Sequence, residues 1–130
     1  QDSGAYLRFS SYGSMKHCGH MPGPYTIPNV WIDSIVTFTN RTPSNAMRGF
    51  GVMAGSFALE VQMDKIAETI GMDPWELRLI NAYREGDMKS HLKPVEDAGM
   101  VETILSAAKL VGKNLPENFQ KMTSLDRKAG

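Results

Sequence analysis

From Val52 onward the apolar positions recur at near-helical intervals. Leu59, Met63, Ile66 and Ile70 are spaced by four, three and four residues, and Phe57 and Val61 widen the stripe. The pattern predicts a core-facing helix, which Gly71 is placed to close in a left-handed cap. Asp73-Pro74-Trp75-Glu76 then opens a second helix running to about Ala82. It offers a capping carboxylate, a proline at the first helical position and a glutamate three residues after the cap. A third helix is predicted over 99–111, where Met100, Val101, Ile104, Leu105, Ala108 and Val111 share a face and Gly112 supplies the stop.

Upstream of Val52 the period is two. Val30, Ile32, Val36 and Phe38 share one face with Ser34 as its only polar interruption, while Trp31, Asp33, Ile35, Thr37 and Thr39 take the other. Residues 30–39 therefore read as a strand, with pairing beginning after Pro28, which has no N–H to donate. Residues 4–9 alternate weakly and read as a strand end. Residues 10–24, broken by glycines at 13, 19 and 23, read as a long irregular connection. The expected fold class is α+β: a strand-bearing N-terminal part, a ligand loop, about three helices, and a polar tail over 113–130 expected to be mobile.

At 130 residues the chain has the size of one domain, enough to bury about two thirds of its unfolded surface. Its 14 basic and 14 acidic residues cancel, and neither sign forms a block, which argues against nucleic acid as a partner. No run approaches the roughly 20 apolar residues that span a bilayer, so a soluble protein without a membrane span is expected. The single cysteine, Cys18, cannot form an internal disulfide, which fits a cytoplasmic location. His17, Cys18 and His20 are metal-ligand types at a spacing poorly suited to one tetrahedral ion, and read as ordinary loop residues. Lys16 and the histidines remain open as pocket-lining groups. Glu60, Asp64, Lys65 and Glu68 read as a solvated helix face.

The chemistry concentrates in Thr42-Pro43-Ser44-Asn45-Ala46-Met47-Arg48-Gly49-Phe50-Gly51, which sets a guanidinium and an aromatic among glycines just ahead of a helix. Gly49 and Gly51 let the main chain approach a bound group closely, and the helix start offers N–H groups and the positive dipole end. Phe50 could stack a planar ring or, in the blander reading, anchor a tight turn in the core. A third reading is an apolar docking patch of Met47, Phe50, Met53 and Phe57 in a chain with nine methionines. A nucleotide-binding glycine loop does not fit, because the third glycine and a P-loop lysine are missing.

The flanks extend this motif. Asp2-Ser3-Gly4-Ala5-Tyr6, Gly23-Pro24-Tyr25-Thr26-Ile27-Pro28-Asn29-Val30, Thr39-Asn40-Arg41-Thr42-Pro43, Arg48-Gly49-Phe50-Gly51 and Gly71-Met72-Asp73-Pro74-Trp75-Glu76-Leu77-Arg78 follow in that order. The ensemble resembles the molybdenum-binding subunit of the xanthine dehydrogenase and aldehyde oxidase family, over roughly residues 1 to 90. Family subunits are several times longer, so the resemblance implies that residues 1–112 are a segment of a larger molybdopterin-binding domain. With Gln1 in place of a starting methionine, the chain reads as an excised segment, a processed product or a small subunit of a split enzyme.

The resemblance further implies hydroxylation of an aromatic N-heterocycle, of purine or pyridine type, or of an aldehyde. Arg48 and Gly49 would lie against the molybdenum-molybdopterin cofactor and Phe50 against the substrate. The remainder of the molybdenum subunit, and 2Fe–2S clusters and FAD on other domains or subunits, would be the partners. The family's catalytic glutamate follows a glycine, yet the chain has no Gly-Glu dipeptide and no Gly-Gln-Gly loop. No catalytic residue and no direct metal ligand is therefore expected in this segment, which alone should be inactive. The carbon monoxide branch carries a cysteine beside the loop arginine, where this chain has Gly49.

Overall fold

The Asp73 side chain accepts hydrogen bonds from the backbone N–H of Trp75 and Glu76, so the helix start written at 73–76 forms where the sequence puts it. A computed structural model describes residues 1–6, 10–45 and 47–115 of the chain. Its elements are α1 (Ser10–His20), α2 (Val52–Ile70), α3 (Pro74–Asn81) and α4 (Met100–Leu110). The chain divides into two compact units, Gln1–Gly23 with Asn29–Val61 and Pro24–Pro28 with the residues from Gln62 onward.

In the second unit α3 packs on α4. Leu79, Ala82 and Ile104 are buried at its centre, with Trp75, Met100, Val101, Leu105 and Leu115 against them. Tyr25 is also buried, and its segment is fixed by reciprocal backbone bonds, Thr26 N–H to Asn81 O at 2.8 Å and Tyr83 N–H to Pro24 O at 2.9 Å. The buried Asp87 carboxylate accepts from Thr26 Oγ1 and from the Arg84 N–H, each at 2.8 Å. A buried carboxylate is tolerable when it is hydrogen-bonded, as here through Oδ2. Lys113, just past α4, pairs with Asp73 at the start of α3. Gly71, at φ +68°, ends α2 with Met72 N–H bonded to Ala67 O at 2.9 Å.

The α+β expectation is overturned. Among the described residues there is no strand and no sheet, only the isolated bridges Asp2 with Thr37, Tyr25 with Ala82 and Met88 with Pro94. The alternation at 30–39 fails to make a strand because a ladder needs a neighbour. No backbone N–H from 29 to 36 donates to another described residue, and both predicted faces are open, with Trp31 89% exposed on one and Phe38 56% on the other. The reading of 10–24 as irregular also changes, since residues 10–20 are helical. Residues 7–9 of the expected strand end, residue 46 of the loop and residues 116–130 of the polar tail lie outside the described residues. Among those described, no helix is long and apolar enough to cross a membrane.

Candidate functional site

The first unit is organised by its first five residues, which run beside 35–44. Ser3 N–H donates to Thr37 O at 2.9 Å, Thr37 N–H to Gln1 O at 2.9 Å, Thr39 N–H to Gly4 O at 3.1 Å and Ala5 N–H to Arg41 O at 3.0 Å. Asp2 ties the two stretches through side chains, accepting from Gly4 N–H at 2.9 Å and from Thr39 Oγ1 at 2.7 Å. The Gly4 N–H, then Thr39 and Arg41, hold the Asp2 carboxyl below its usual value of 3.8, against a smaller opposing effect of desolvation. Gly4 sits at φ +76° and so close to its neighbour that a Cβ would lie 2.4 Å from Thr42 O. Ser44 N–H donates to Ser3 O at 3.1 Å, which fixes where the following loop departs.

That loop has an unusual backbone. Gly49, Phe50 and Gly51 all have positive φ, at +87°, +51° and +93°. Glycine adopts such values freely, whereas a bulky residue does so only when its surroundings impose it. Phe50 N–H bonds to Met47 O at 2.8 Å and Val52 N–H to Gly49 O at 2.9 Å, closing two tight turns in succession. The Gly49 and Gly51 N–H groups donate to no described residue. These two amides alternate with the turn-bonded N–H groups of Phe50 and Val52 at the head of a 19-residue helix, whose positive dipole end suits an anion or a carbonyl.

α1 provides the floor. A Cβ built on Gly51 would fall 2.3 Å from Gly13 O, and one on Gly55 3.5 Å from His17 O, so the start of α2 lies directly on the α1 backbone. Gly13 and Ser14 are buried there. A pocket of about 270 Å³ opens between the N-terminal stretch, α1 and the loop, with Asp2, Gly13, Asn45, Arg48, Gly51 and Met53 among its lining residues. Arg48 is exposed and makes no ion pair or hydrogen bond with a described residue. Phe50 is 41% exposed, which is incompatible with a core anchor, and it does not line this pocket. Met47, Met53 and Phe57 are exposed as well.

A sequence profile of the molybdopterin cofactor-binding domain matches residues 1–82. The chain belongs to that family. It is 36% identical over 107 residues to the nicotinate dehydrogenase large molybdopterin subunit of Eubacterium barkeri, covering 82% of this chain and 25% of that protein. It is 40% identical over 86 residues to the aldehyde oxidoreductase of Megalodesulfovibrio gigas, covering 66% of this chain and 10% of that protein. The solved aldehyde oxidoreductase of Desulfovibrio desulfuricans ATCC 27774 superposes with a TM-score of 0.79 at 32% identity, over 85% of this chain and 12% of that one. The molybdopterin-binding segment thus spans a quarter or less of the length of these relatives.

The residues at the loop fit a molybdopterin-type group on the chain's own geometry. A guanidinium and two glycine amides that, among the described residues, have no partner suit an anionic, flat ligand. Of the three residues singled out in the sequence, Arg48 lines the pocket, whereas Gly49 and Phe50 stand outside the lining. His17, Cys18 and His20 sit on α1 and not on a loop, and among the described residues no group of three His, Cys, Asp or Glu is placed to hold a metal ion. Sequence reasoning missed the Gly13–Gly51 contact and the Asp2–Thr39 bond. Both are long-range in sequence, and only the repeated glycines hinted at a close approach.

Proposed function

We propose that residues 47–54 form one wall of the cofactor and substrate site of a molybdenum hydroxylase acting on an aromatic N-heterocycle, of purine or pyridine type, or on an aldehyde. When bound, the molybdenum-molybdopterin cofactor supplies oxygen transfer and accepts two electrons. This chain's own residues bind and orient. Arg48 holds negative charge at the mouth of the pocket, assisted by the start of α2. Gly49 lets the main chain approach the cofactor, and Phe50 stacks against the ring or aldehyde, a contact worth about 0.5 to 1.5 kcal/mol. The remainder of the molybdenum subunit, 2Fe–2S clusters and FAD on other domains or subunits would complete the enzyme, in the cytoplasm. The observation that carries this reading is the run of three positive φ values beside a pocket lined by Arg48, which has no ion-pair or hydrogen-bond partner among the described residues.

The test uses the protein isolated from its source with whatever accompanies it. Molybdenum and pterin should copurify, Arg48→Ala should lower their content, and Phe50→Ala should keep the metal while raising KM for a heterocycle or aldehyde about two- to tenfold. A metal-free wild-type protein would overturn the proposal. The second reading, a docking patch of the exposed Met47, Met53 and Phe57, would then stand.

A further inference from the structure

We infer that Gly51 is a positioning residue, and that α1 is the buttress which sets where Phe50 meets the substrate. The inference rests on the proposed function of the loop and adds to it a residue and an element that touch neither cofactor nor ring. Its basis is an asymmetry among the glycines. A Cβ on Gly51 would lie 2.3 Å from Gly13 O and 3.0 Å from Gly13 C, so it meets the main chain of a helix and not the yielding end of a side chain. A Cβ on Gly49 would meet only Met53 Cγ and Sδ, at 3.0 and 3.2 Å, and Met53 can turn aside. Gly55, one turn further on, makes ordinary contact with His17. Among these glycines, Gly51 is the one that seats the loop on the α1 main chain, immediately after Phe50.

Phe50 directly precedes that contact. Its φ of +51° is held by the turn from Met47 and by the glycines on either side. Lifting Gly51 off Gly13 frees the turn and moves the aromatic ring. A displacement near 1 Å at a group that orients substrate costs on the order of a hundredfold in rate when chemistry demands alignment, and less when it affects only binding.

Three variants separate contact from backbone strain. Gly51→Ala adds both. Gly51→Asn keeps the clashing Cβ but suits positive φ far better. Gly71→Ala, at φ +68° with nothing within 4 Å, adds strain alone and lies outside the site. In the isolated enzyme, Gly51→Ala and Gly51→Asn should keep their molybdenum and raise KM about tenfold with a smaller change in kcat, whereas Gly71→Ala keeps the wild-type KM. Hydrogen exchange in the wild type gives a readout that needs no variant: a bound, slowly turned-over aldehyde or pyridine should slow exchange in 47–52 and in 10–20 together. Wild-type KM in both Gly51 variants, or protection confined to 47–52, overturns the inference while leaving the loop's proposed function intact. Wild-type enzyme without molybdenum or turnover overturns that function, and this inference with it.

Discussion

Gly4 and Gly86 form a matched pair that measures one close approach. Their φ values are +76° and +78°, but a Cβ on Gly4 would lie 2.4 Å from Thr42 O and 2.6 Å from Pro43 Cα, whereas one on Gly86 meets nothing within 4 Å. Alanine at Gly86 should therefore cost only the left-handed backbone, about 1 to 2 kcal/mol. Alanine at Gly4 carries that cost and an overpacking cost of about 1 to 3 kcal/mol, giving about 2 to 5 kcal/mol in all. The extra cost arises because backbone atoms must move, and the movement strains the Ala5 to Arg41 and Ser44 to Ser3 bonds at 3.0 and 3.1 Å. Urea denaturation followed by hydrogen exchange, read peptide by peptide, assigns each loss to its own unit. Equal costs for Gly4→Ala and Gly86→Ala would refute the reasoning, because the 2.4 Å approach would then exert no force.

Two further outcomes concern the second unit. Burial alone would push the Asp73 carboxyl up, but Lys113 and the Trp75 and Glu76 N–H groups outweigh it and hold the pKa below 3.8. A depressed folded pKa means the unfolded chain binds the proton first. The stabilisation is present above about pH 4 and is lost as pH falls through the lower folded value. Asp73→Ala should cost about 1 to 2 kcal/mol at neutral pH and flatten that acid limb in a pH series of thermal melts; an unchanged limb would count against the cap. Leu79→Ala, at a fully buried position between α3 and α4, should cost about 2 to 5 kcal/mol by denaturant titration, with a loss under 1 kcal/mol contradicting the packing described.

The helices that carry their own instructions were legible. α2 runs to Gly71 as predicted, though of its predicted apolar stripe Met63 is buried while Ile66 and Ile70 are exposed and Ala67 takes the buried place. α3 follows the Asp73-Pro74 start, and α4 spans Met100–Leu110 within the predicted 99–111. α1 was not legible, because Gly13 and Gly19 depress helix propensity and the contact of Gly13 with Gly51 overrides it. A weak signal was present: the basic residue types His17 and His20 fall in the last turn, and Gly23-Pro24 follows as a stop. The period at 30–39 reports a preference that only a neighbouring strand can satisfy; among the described residues 30–34 have no backbone partner, and 35–39 meet only the short stretch 1–4. Arg48, Gly49 and Phe50 could be nominated from the local sequence, and of these Arg48 lines the pocket. The Asp2–Thr39 and Gly13–Gly51 contacts that brace the first unit could not, since they join residues 37 and 38 apart in the chain.

The unpaired stretch at 29–36 also governs how the chain behaves in a tube. Its amides and carbonyls are largely unspent, Trp31 and Ile35 stand open beside them, and the segment has one charge, Asp33, to keep neighbours apart. Such a stretch is a template for edge-to-edge association. The whole chain has a net charge of zero and a sequence pI near 7.0, so colloidal repulsion is weakest at neutral pH. Handling the chain one or two pH units away from 7, in modest salt, turns that liability into a controllable variable, and turbidity against pH should peak near neutrality.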